Sequence, residues 1–335
     1  FEYSMVRGVN DSDACARQLA DLIRGMGAHV NLIPINPVDG SPYSATDAAN
    51  VQRFQKKLES LGVNATVRRR LGSEISAACG QLRRDDMKLA GKTDVGRVRQ
   101  ENQDDYRAGE LPGGAVWALV CDGMGGAKGG REASQGACNV IEQVFQEQYA
   151  QCGAGQEGAF LKKALISANR YVFNKAAHEE SLAGMGTTAV CALVRGGEAT
   201  LCHAGDSRAY LCRGGKLTQL THDHSYVQEL VDCGTITEEE AEHHPQKNII
   251  TRALGVDYRL EPEVTSVQLQ AKDLLLLCSD GLTNMVPVEQ IEQLLAQGPF
   301  YDLPDRLVDA ANENGGSDNI TALLLAVEPT EVHHG

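Results

Sequence analysis

Four aspartates stand where an apolar segment meets glycine or a turn. Asp122 follows AVWALVC, Asp280 follows DLLLLCS, and Asp206 follows ATLCHAG. Asp318 lies in GGSDNIT before the last apolar run, and Asp104 in RQENQDDY is a fifth candidate. Carboxylates placed close together cannot all stay ionised without a cation, and all-oxygen ligand sets favour Mg²⁺ or Mn²⁺ over zinc. Any one alone is more simply a turn residue or a helix cap, so this prediction depends on their convergence.

The segment ALVCDGMGGAKGG (118–130) predicts a buried strand that ends where the backbone passes close to another group. Without a Cβ atom, Gly123 could present its own carbonyl to an ion held by Asp122. Arg99 lies five residues before Asp104 and has two interpretations. It pairs with a surface carboxylate, or it grips a phosphate in bidentate fashion beside the metals.

The elements that must position these groups are predicted within residues 88–328. Helical patterns cover 131–150 and 157–178, followed by 287–296 and 303–314. Gly-Gly pairs between strand candidates predict hairpins at 196–197 and 214–215. Together these patterns indicate two sheets with helices outside. The strand candidates are 115–121, 187–194, 198–204, 207–213, 263–269, 273–279 and 319–327.

Charge and element pattern both divide the chain near residue 85. Residues 1–84 hold 11 Lys+Arg and 8 Asp+Glu, a net +3, so the remainder holds 20 and 37, a net −17. The acidic part would repel nucleic acid. Strand–helix–strand alternation in residues 2–84 predicts parallel pairing, with too few units to close a barrel.

Composition narrows the class of protein further. The chain has 335 residues, ten cysteines and a net charge of −14. No run approaches the roughly 18 apolar residues of a membrane span, and no leader segment is recognisable, although residue 1 is Phe and leaves the true start open. The cysteines form no CxxC pair, which favours the reduced thiols of a cytoplasmic protein over a disulfide framework or a zinc site.

Six short motifs occur in a specific order: TDVGRVRQENQDDY, CDGMGG, MGTTAV, HAGDSRAYL, CSDGL and GGSDNIT. Over about residues 88–328 they resemble the metal-dependent serine/threonine protein phosphatases of the phosphatase 2C class, in the compact bacterial form. The resemblance implies an α+β fold, a β-sandwich of two antiparallel sheets flanked by helices. The predicted organisation is a partial (β/α) barrel fragment at 1–84, a junction at 85–90, the phosphatase domain at 91–328 and a tail at 329–335.

The resemblance also implies a binuclear Mn²⁺ or Mg²⁺ centre. Asp122 would bridge the two ions, and the carbonyl of Gly123 would complete one site. Asp280 and Asp318 would hold the other, with Asp104 supporting it through water. The ions would lower the pKa of a bridging water for in-line attack on phosphorus, without a phosphoenzyme.

Two more assignments follow from the resemblance, together with two departures from the family pattern. Asp206 with Asp280 would form a third, weaker metal position, and Arg99 would bind the substrate phosphate. Gln103 stands where some members have Glu, and Ala127 with Lys128 where some have a His that could donate a proton. The general acid is therefore unassigned among a metal-bound water and the histidines His203, His222, His224, His243 and His244. Residues 221–255 match the family's mobile flap, which is expected to shape substrate choice.

Residues 1–84 resemble the C-terminal tail of the radical-SAM methyltransferases that modify C-2 of an RNA adenine. VNLIPINP and TVRRRLGSEISAACGQL carry this similarity. Asn36 would match the residue that contacts S-adenosylmethionine, and Cys79 the cysteine that carries the methyl group. The CxxxCxxC motif is missing, so no iron–sulfur cluster is expected in this chain and the segment should be inactive.

Three functions are therefore weighed. The leading hypothesis is hydrolysis of phosphoserine and phosphothreonine on proteins, with a serine/threonine kinase and its targets as partners and no membrane. The second is a non-catalytic regulatory module of this fold, which the complete set of aspartates and Arg99 argues against. The third is an RNA methyltransferase, which needs a cluster motif from a longer natural chain.

Overall fold

The computed structural model describes residues 1–24, 29–34, 46–67 and 87–327. The chain divides into two compact units, Phe1–Arg84 and Asp85–Gly335. Asn36 and Cys79, the two residues predicted to match the methyltransferase tail, lie outside the described residues. None of the helices in these described ranges has an apolar stretch that would match the thickness of a bilayer.

The first unit is a small parallel α/β arrangement, as its alternating pattern predicts. Its sheet order is β1-β2-β3, with both pairings parallel. Ser12 and Asp47 cap the two helices, because their side chains accept hydrogen bonds from Cys15 and Asn50 backbone N–H groups. The elements are β1 (Glu2–Met5), α1 (Asp13–Leu22), β2 (His29–Pro34), α2 (Ala48–Ser60) and β3 (Asn64–Val67).

The second unit holds the remaining described elements. Its strands are β4 (Met87–Asp94), β5 (Asp104–Leu111), β6 (Ala115–Met124), β7 (Gly186–Thr187), β8 (Ala189–Arg195), β9 (Glu198–Ala204), β10 (Arg208–Arg213), β11 (Lys216–Gln219), β12 (Glu263–Gln268), β13 (Leu274–Cys278) and β14 (Ile320–Val327). Its helices are α3 (Gly126–Gln148), α4 (Glu157–His178), α5 (Tyr226–Asp232), α6 (Glu238–Glu242), α7 (Asp280–Thr283), α8 (Val288–Leu295) and α9 (Leu303–Glu313).

These strands form two antiparallel sheets that pack face to face, which confirms the predicted sandwich. One sheet has the order β11-β10-β13-β14-β4, and the other β12-β9-β8-β6-β5, with β7 pairing β6 beyond it. Strands β13 and β14 contact β5 and β6 across the sandwich. Helices α3 and α4 cover one outer face and α8 and α9 cover the other, and each pair packs on its sheet through a cluster of buried apolar side chains.

Strands β4, β5 and β11 are absent from the sequence prediction. In β4 and β11 most residues are partly buried or exposed: Ala90 is the one buried position of β4, and β11 has none. Strand β5 has five buried residues of eight, but Asp104 and Asp105 are among them, so it lacks an apolar pattern. Both β4 and β11 lie at sheet edges, where an apolar pattern is not needed. Strand β4 also begins at Met87, inside the stretch predicted as a junction. The two Gly-Gly hairpins are confirmed, because all four glycines have positive φ as a type I′ turn requires.

Candidate metal centre

Asp104 and Asp122 face each other at one edge of the second sheet. Asp104 begins β5, Asp122 lies near the end of β6, and the antiparallel register pairs them directly. The backbone of Asp122 is held by two threonines that follow the α3–α4 layer. Its N–H donates to Oγ1 of Thr188 at 3.0 Å, and its carbonyl accepts from Oγ1 of Thr187 at 2.8 Å. The position of Asp122 therefore depends on a contact 65 residues away in the chain.

Asp280 and Asp318 come from the other sheet. Asp280 begins α7 just after β13, and Asp318 precedes β14, which pairs with β13 in antiparallel fashion. Gly281 allows the two segments to meet, because a Cβ there would lie 1.9 Å from the carbonyl oxygen of Asn319. Antiparallel neighbours thus bring the end of one strand and the beginning of the next to the same place.

Asp206 joins the group from the turn between β9 and β10. It is 8% exposed, and the charges of Asp280 and Asp223 both act on its carboxyl. Arg208 forms a bidentate pair with Asp223, with the Arg208 Nη2 to Asp223 Oδ2 distance at 2.7 Å. This ion pair, which the sequence reasoning missed, places the partly buried guanidinium of Arg208 where its charge acts on the carboxyls of Asp206 and Asp280.

The carboxylates hold more negative charge than their surroundings can stabilise. Burial, together with the charges of neighbouring carboxylates, raises the pKa of Asp104 to about 7 and that of Asp206 to about 8. Burial, with the charges of Asp104 and Asp280, raises the pKa of Asp122 well above its usual range. Burial and Asp318 also raise the pKa of Asp280. A set that must bind protons in the absence of metal is suited to divalent cations in their place.

Two hydroxyl groups orient Asp104. Ser279 Oγ and Thr321 Oγ1 both donate to Oδ2 of Asp104, at 2.7 and 2.6 Å. Thr93 lies 2.8 Å from Thr321 and receives a hydrogen bond from Asn102, so the network is continuous. Oδ1 of Asp104 is buried and has no hydrogen-bond partner among the described residues. An oxygen in that condition fits a role toward a cation or a water that the cation holds.

The backbone around Gly123 leaves no room for a side chain at this position. A Cβ atom there would lie 2.1 Å from the carbonyl oxygen of Gly130 and 2.8 Å from that of Gln103. The N–H of Gly123 donates to the Gln103 carbonyl at 3.2 Å. Helix α3 can therefore begin against the end of β6, five residues earlier than its apolar pattern predicts. The coordination of an ion by the Gly123 carbonyl stays a prediction.

Arg99 lies beside the carboxylates. Its Nη2 atom donates to Oδ2 of Asp318 at 2.8 Å, and its side chain is 54% exposed. The hydrogen bond to Asp318 raises the pKa of Arg99, and the charges of Asp122 and Asp280 add to the effect. In this structure Arg99 thus shows the ion pair of the first interpretation, at a place where a bound phosphate could also be reached.

Two positions, Gln103 and Ala127 with Lys128, differ from residues that some family members have there. Gln103 donates from Nε2 to the carbonyl of Gly126 at 2.8 Å, a bond that an ionised glutamate could not make. The side chains of Ala127 and Lys128 lie outside the described part of the chain. His222 pairs with Asp232 at 2.8 Å, and His203 and His224 stack on each other, so these three histidines have structural contacts of their own.

Several supporting residues were missed by the sequence reasoning. Asn319 donates to the carbonyls of Val95 and Glu101 at 3.0 Å and accepts from the N–H of Gln103 at 2.8 Å. It therefore fastens the loop that carries Arg99 to the beginning of β14. The motif GGSDNIT contains both Asn319 and Thr321, and polar residues that enter a buried strand are the signal that could have identified them.

The second unit is similar to known proteins over nearly all of its length. The pattern described as protein phosphatase 2C matches residues 96–325. The serine/threonine phosphatase Stp of Listeria monocytogenes is 39% identical over 241 residues, which cover 72% of this chain and 96% of that protein. The matched pattern begins after residues 1–84, so the resemblance of that segment to a methyltransferase is not borne out.

Solved structures agree with this similarity. The serine/threonine phosphatase of S. agalactiae has a TM-score of 0.69 and 35% identity, and the match covers 72% of this chain and 100% of that one. The catalytic domain of the phosphatase PstP, in complex with two manganese ions, has a TM-score of 0.65 and 36% identity, covering 73% of this chain and 99% of that one. With the convergent carboxylates, these findings show that the chain belongs to the protein phosphatase 2C family.

Proposed function

We propose that this protein hydrolyses phosphoserine and phosphothreonine on other proteins, using a centre of two Mn²⁺ or Mg²⁺ ions. The observation that carries the proposal is the meeting of Asp104, Asp122, Asp280 and Asp318 at one end of both sheets. A module that only binds other proteins has no need for a cluster of carboxylates with excess negative charge. Family membership supports the phosphatase over the regulatory module and over the methyltransferase.

The proposed ligand roles follow the placement of the side chains. Asp122, whose carboxyl feels the charges of all four other aspartates, bridges the two ions. The Gly123 carbonyl completes one site, and Asp280 with Asp318 holds the other. Asp104, oriented by hydroxyl groups on Oδ2, supports the centre through water. When bound, such ions supply an activated water and neutralise negative charge on the phosphoryl group.

Two further roles complete the site. Asp206 with Asp280 forms the third, weaker cation position, which is supported by the electrostatic coupling of the two carboxyls. Arg99 binds the substrate phosphate. Its guanidinium is half exposed and held at the edge of the carboxylates by Asp318, so a phosphate can take up the remaining N–H donors.

The substrates can be assigned as a class and, more finely, as particular partners. Phosphorylated proteins are the substrate class that the family implies. We also propose, as a finer assignment, that a serine/threonine kinase and its targets are the partners and that the protein acts in the cytoplasm. The buried thiols of Cys121, Cys191, Cys202 and Cys278 support a reducing compartment.

The test is hydrolysis of a phosphothreonine peptide by the full chain with Mn²⁺ and with EDTA. We expect activity only with Mn²⁺ and a loss of at least about 100-fold in the Asp122→Asn protein, because the variant removes a charge from the bridging position. Asp232→Asn, at an exposed carboxylate that pairs with His222, serves as the matched control and should keep full activity. Full activity in Asp122→Asn would exclude the proposed centre, and well-folded wild-type protein without activity would favour the regulatory module.

A further inference from the structure

A charged cleft of about 310 Å³ lies beside the loop between β4 and β5 (residues 95–103), which carries Arg99. Its described lining comes from that loop, from the beginning of α3, and from the end of α4 with the turn that follows it. The lining residues are Glu101, Arg131, Glu132, Lys175, Glu179 and Leu182. The cleft therefore marks the place where the Arg99 loop meets the helices that cover the sheet.

Two ion pairs cross this cleft. Nη1 of Arg131 on α3 donates to Oε1 of Glu101 at 2.8 Å, and Lys175 on α4 pairs with Glu132 on α3. The two pairs connect different parts of the molecule. The first joins α3 to the Arg99 loop, whereas the second joins α3 to α4 and does not reach the loop.

The Arg99 loop is held on its other side by the segment that leads into β14. The N–H of Arg97 donates to the carbonyl of Gly316 at 2.7 Å, and the side chain of Asn319 donates to the carbonyl of Glu101 at 3.0 Å. Arg99 lies between these two contacts. Glu101 is therefore fixed from both sides, through its backbone by Asn319 and through its side chain by α3.

Helix α3 is itself fixed relative to the metal centre. Gly130, the residue before Arg131, packs so closely on Gly123 that a Cβ there would lie 2.1 Å from the Gly130 carbonyl oxygen. The pair of Glu101 and Arg131 thus connects the loop to a helix whose position is set by the backbone after Asp122. A side chain that binds a phosphate beside two ions has to be held at a set distance from them.

We propose that Glu101 and Arg131 are positioning residues, whose ion pair holds the loop so that Arg99 is placed for the substrate phosphate. This inference rests on the proposed phosphatase function and on the phosphate-binding role of Arg99. The two side chains are 36% and 53% exposed, so solvent screens their attraction. An ion pair of this exposure changes an affinity by about 2- to 5-fold.

The experiment measures kcat and KM for a phosphothreonine peptide with Mn²⁺ in Glu101→Gln, Arg131→Gln and the double variant. We expect each single variant to raise KM by about 2- to 5-fold with little change in kcat, because Arg99 holds the phosphate equally before and during the reaction. The double variant should be no worse than either single variant, since all three lose the same contact. The expected sign is informative: a purely long-range effect of charge would move KM in opposite directions, because one variant removes a negative charge and the other a positive charge.

The neighbouring ion pair supplies the matched control. Lys175→Gln breaks a pair in the same cleft that does not reach the Arg99 loop, so KM should stay at the wild-type value. A general loosening of the cleft would instead raise KM in Lys175→Gln as well.

Three outcomes overturn the proposal: a KM in Glu101→Gln at or below that of the wild type, additive effects in the double variant, or a Lys175→Gln protein that matches Arg131→Gln. Calorimetric titration of inorganic phosphate into the Mn²⁺-loaded full chain follows the same contact without turnover, and the single variants should bind it about 2- to 5-fold more weakly. Wild-type protein that fails to hydrolyse the peptide would contradict the phosphatase proposal, whereas equal phosphate affinity in the wild type and Glu101→Gln would contradict this one.

Discussion

Single side chains decide how the carboxylates are presented. Asp104 receives both of its hydroxyl donors on Oδ2, which leaves Oδ1 buried and without a described partner. Arg99 donates one hydrogen bond to Asp318, and about half of its side chain is exposed to solvent. The residues that orient a metal ligand therefore contribute to metal affinity as well as the ligand itself, because a carboxylate that rotates freely binds metal less tightly.

At the residue scale we predict that Thr321→Val and Ser279→Ala weaken Mn²⁺ binding by roughly 10- to 100-fold each, the range found for partners that orient metal ligands. Each variant removes one donor from Oδ2 of Asp104 and lets the carboxylate turn. Isothermal titration with Mn²⁺ measures the change.

Ser134→Ala is the matched control for these two variants. Ser134 is also fully buried, but its hydroxyl donates to the carbonyl of Arg131 within α3. Mn²⁺ affinity in Thr321→Val equal to that of the wild type would show that the hydroxyl does not orient Asp104.

At the scale of elements, the site depends on close contacts between chain segments of the two sheets. Helix α7 begins against the backbone of Asn319, and α3 begins against the end of β6. Glycines at these contacts have no room for a side chain: the Cβ of Gly281 or Gly123 would overlap a backbone oxygen. The spacing of Asp280 and Asp318 is therefore set by backbone packing.

We predict that Gly281→Ala lowers the free energy of unfolding by at least about 1–3 kcal/mol, the usual cost of overpacking. The added methyl would lie 1.9 Å from the Asn319 carbonyl oxygen, which cannot move without shifting Asp318. Mn²⁺ affinity should fall in the same protein. Denaturant unfolding and Mn²⁺ titration check the two effects.

Gly158→Ala, a substitution within α4, provides the comparison. Its Cβ would meet two side-chain methyl groups, of Val264 at 3.0 Å and Thr200 at 3.9 Å, and no backbone atom is among its near contacts; alanine also favours the helix. We expect a small effect on stability and none on Mn²⁺ affinity. A Gly281→Ala protein that matched Gly158→Ala in both measurements would contradict the packing argument.

For the whole molecule, the buried carboxylates couple metal, protons and stability. In metal-free protein the pKa of Asp104 is raised to about 7 and that of Asp206 to about 8, from a usual value near 3.8. The unfolded chain has already released these protons at neutral pH, whereas the folded chain still holds them. The protons therefore stabilise the folded state. This contribution is full below the unfolded pKa near 3.8 and is lost progressively as the pH rises to about 7 to 8.

We predict that in EDTA the melting temperature falls as the pH rises from about 6.5 to 8.5, and that Mn²⁺ raises it by more at the upper end. Below this range His224 has the opposite effect, because its pKa is lowered to about 4 and the unfolded imidazole charges near 6.5. Asp206→Asn should reduce the decline, since it removes one of the carboxyls whose pKa is raised. A melting temperature that rose over this interval in EDTA would contradict the linkage.

The sequence alone was sufficient to predict the aspartates and glycines that lie in short motifs. Asp122, Asp206, Asp280 and Asp318 each stand at a strand end, and the Gly-Gly hairpins require positive φ whatever surrounds them. The sandwich of two sheets could be predicted because its central strands are mostly apolar. Edge strands β4 and β11 could not, because one or both of their faces meet solvent and need no pattern.

Only the tertiary structure could decide the rest. The pairing of Asp104 with Asp122 and the hydrogen bonds of two hydroxyl groups to Asp104 join residues 18 to 217 positions apart. Local propensity carries no information about such distances. Contacts of this kind exist only once the two sheets have stacked and their strand ends have met. The residue types and their spacing therefore determined the chemistry of the candidate ligands, and tertiary packing determined which of those residues form one site.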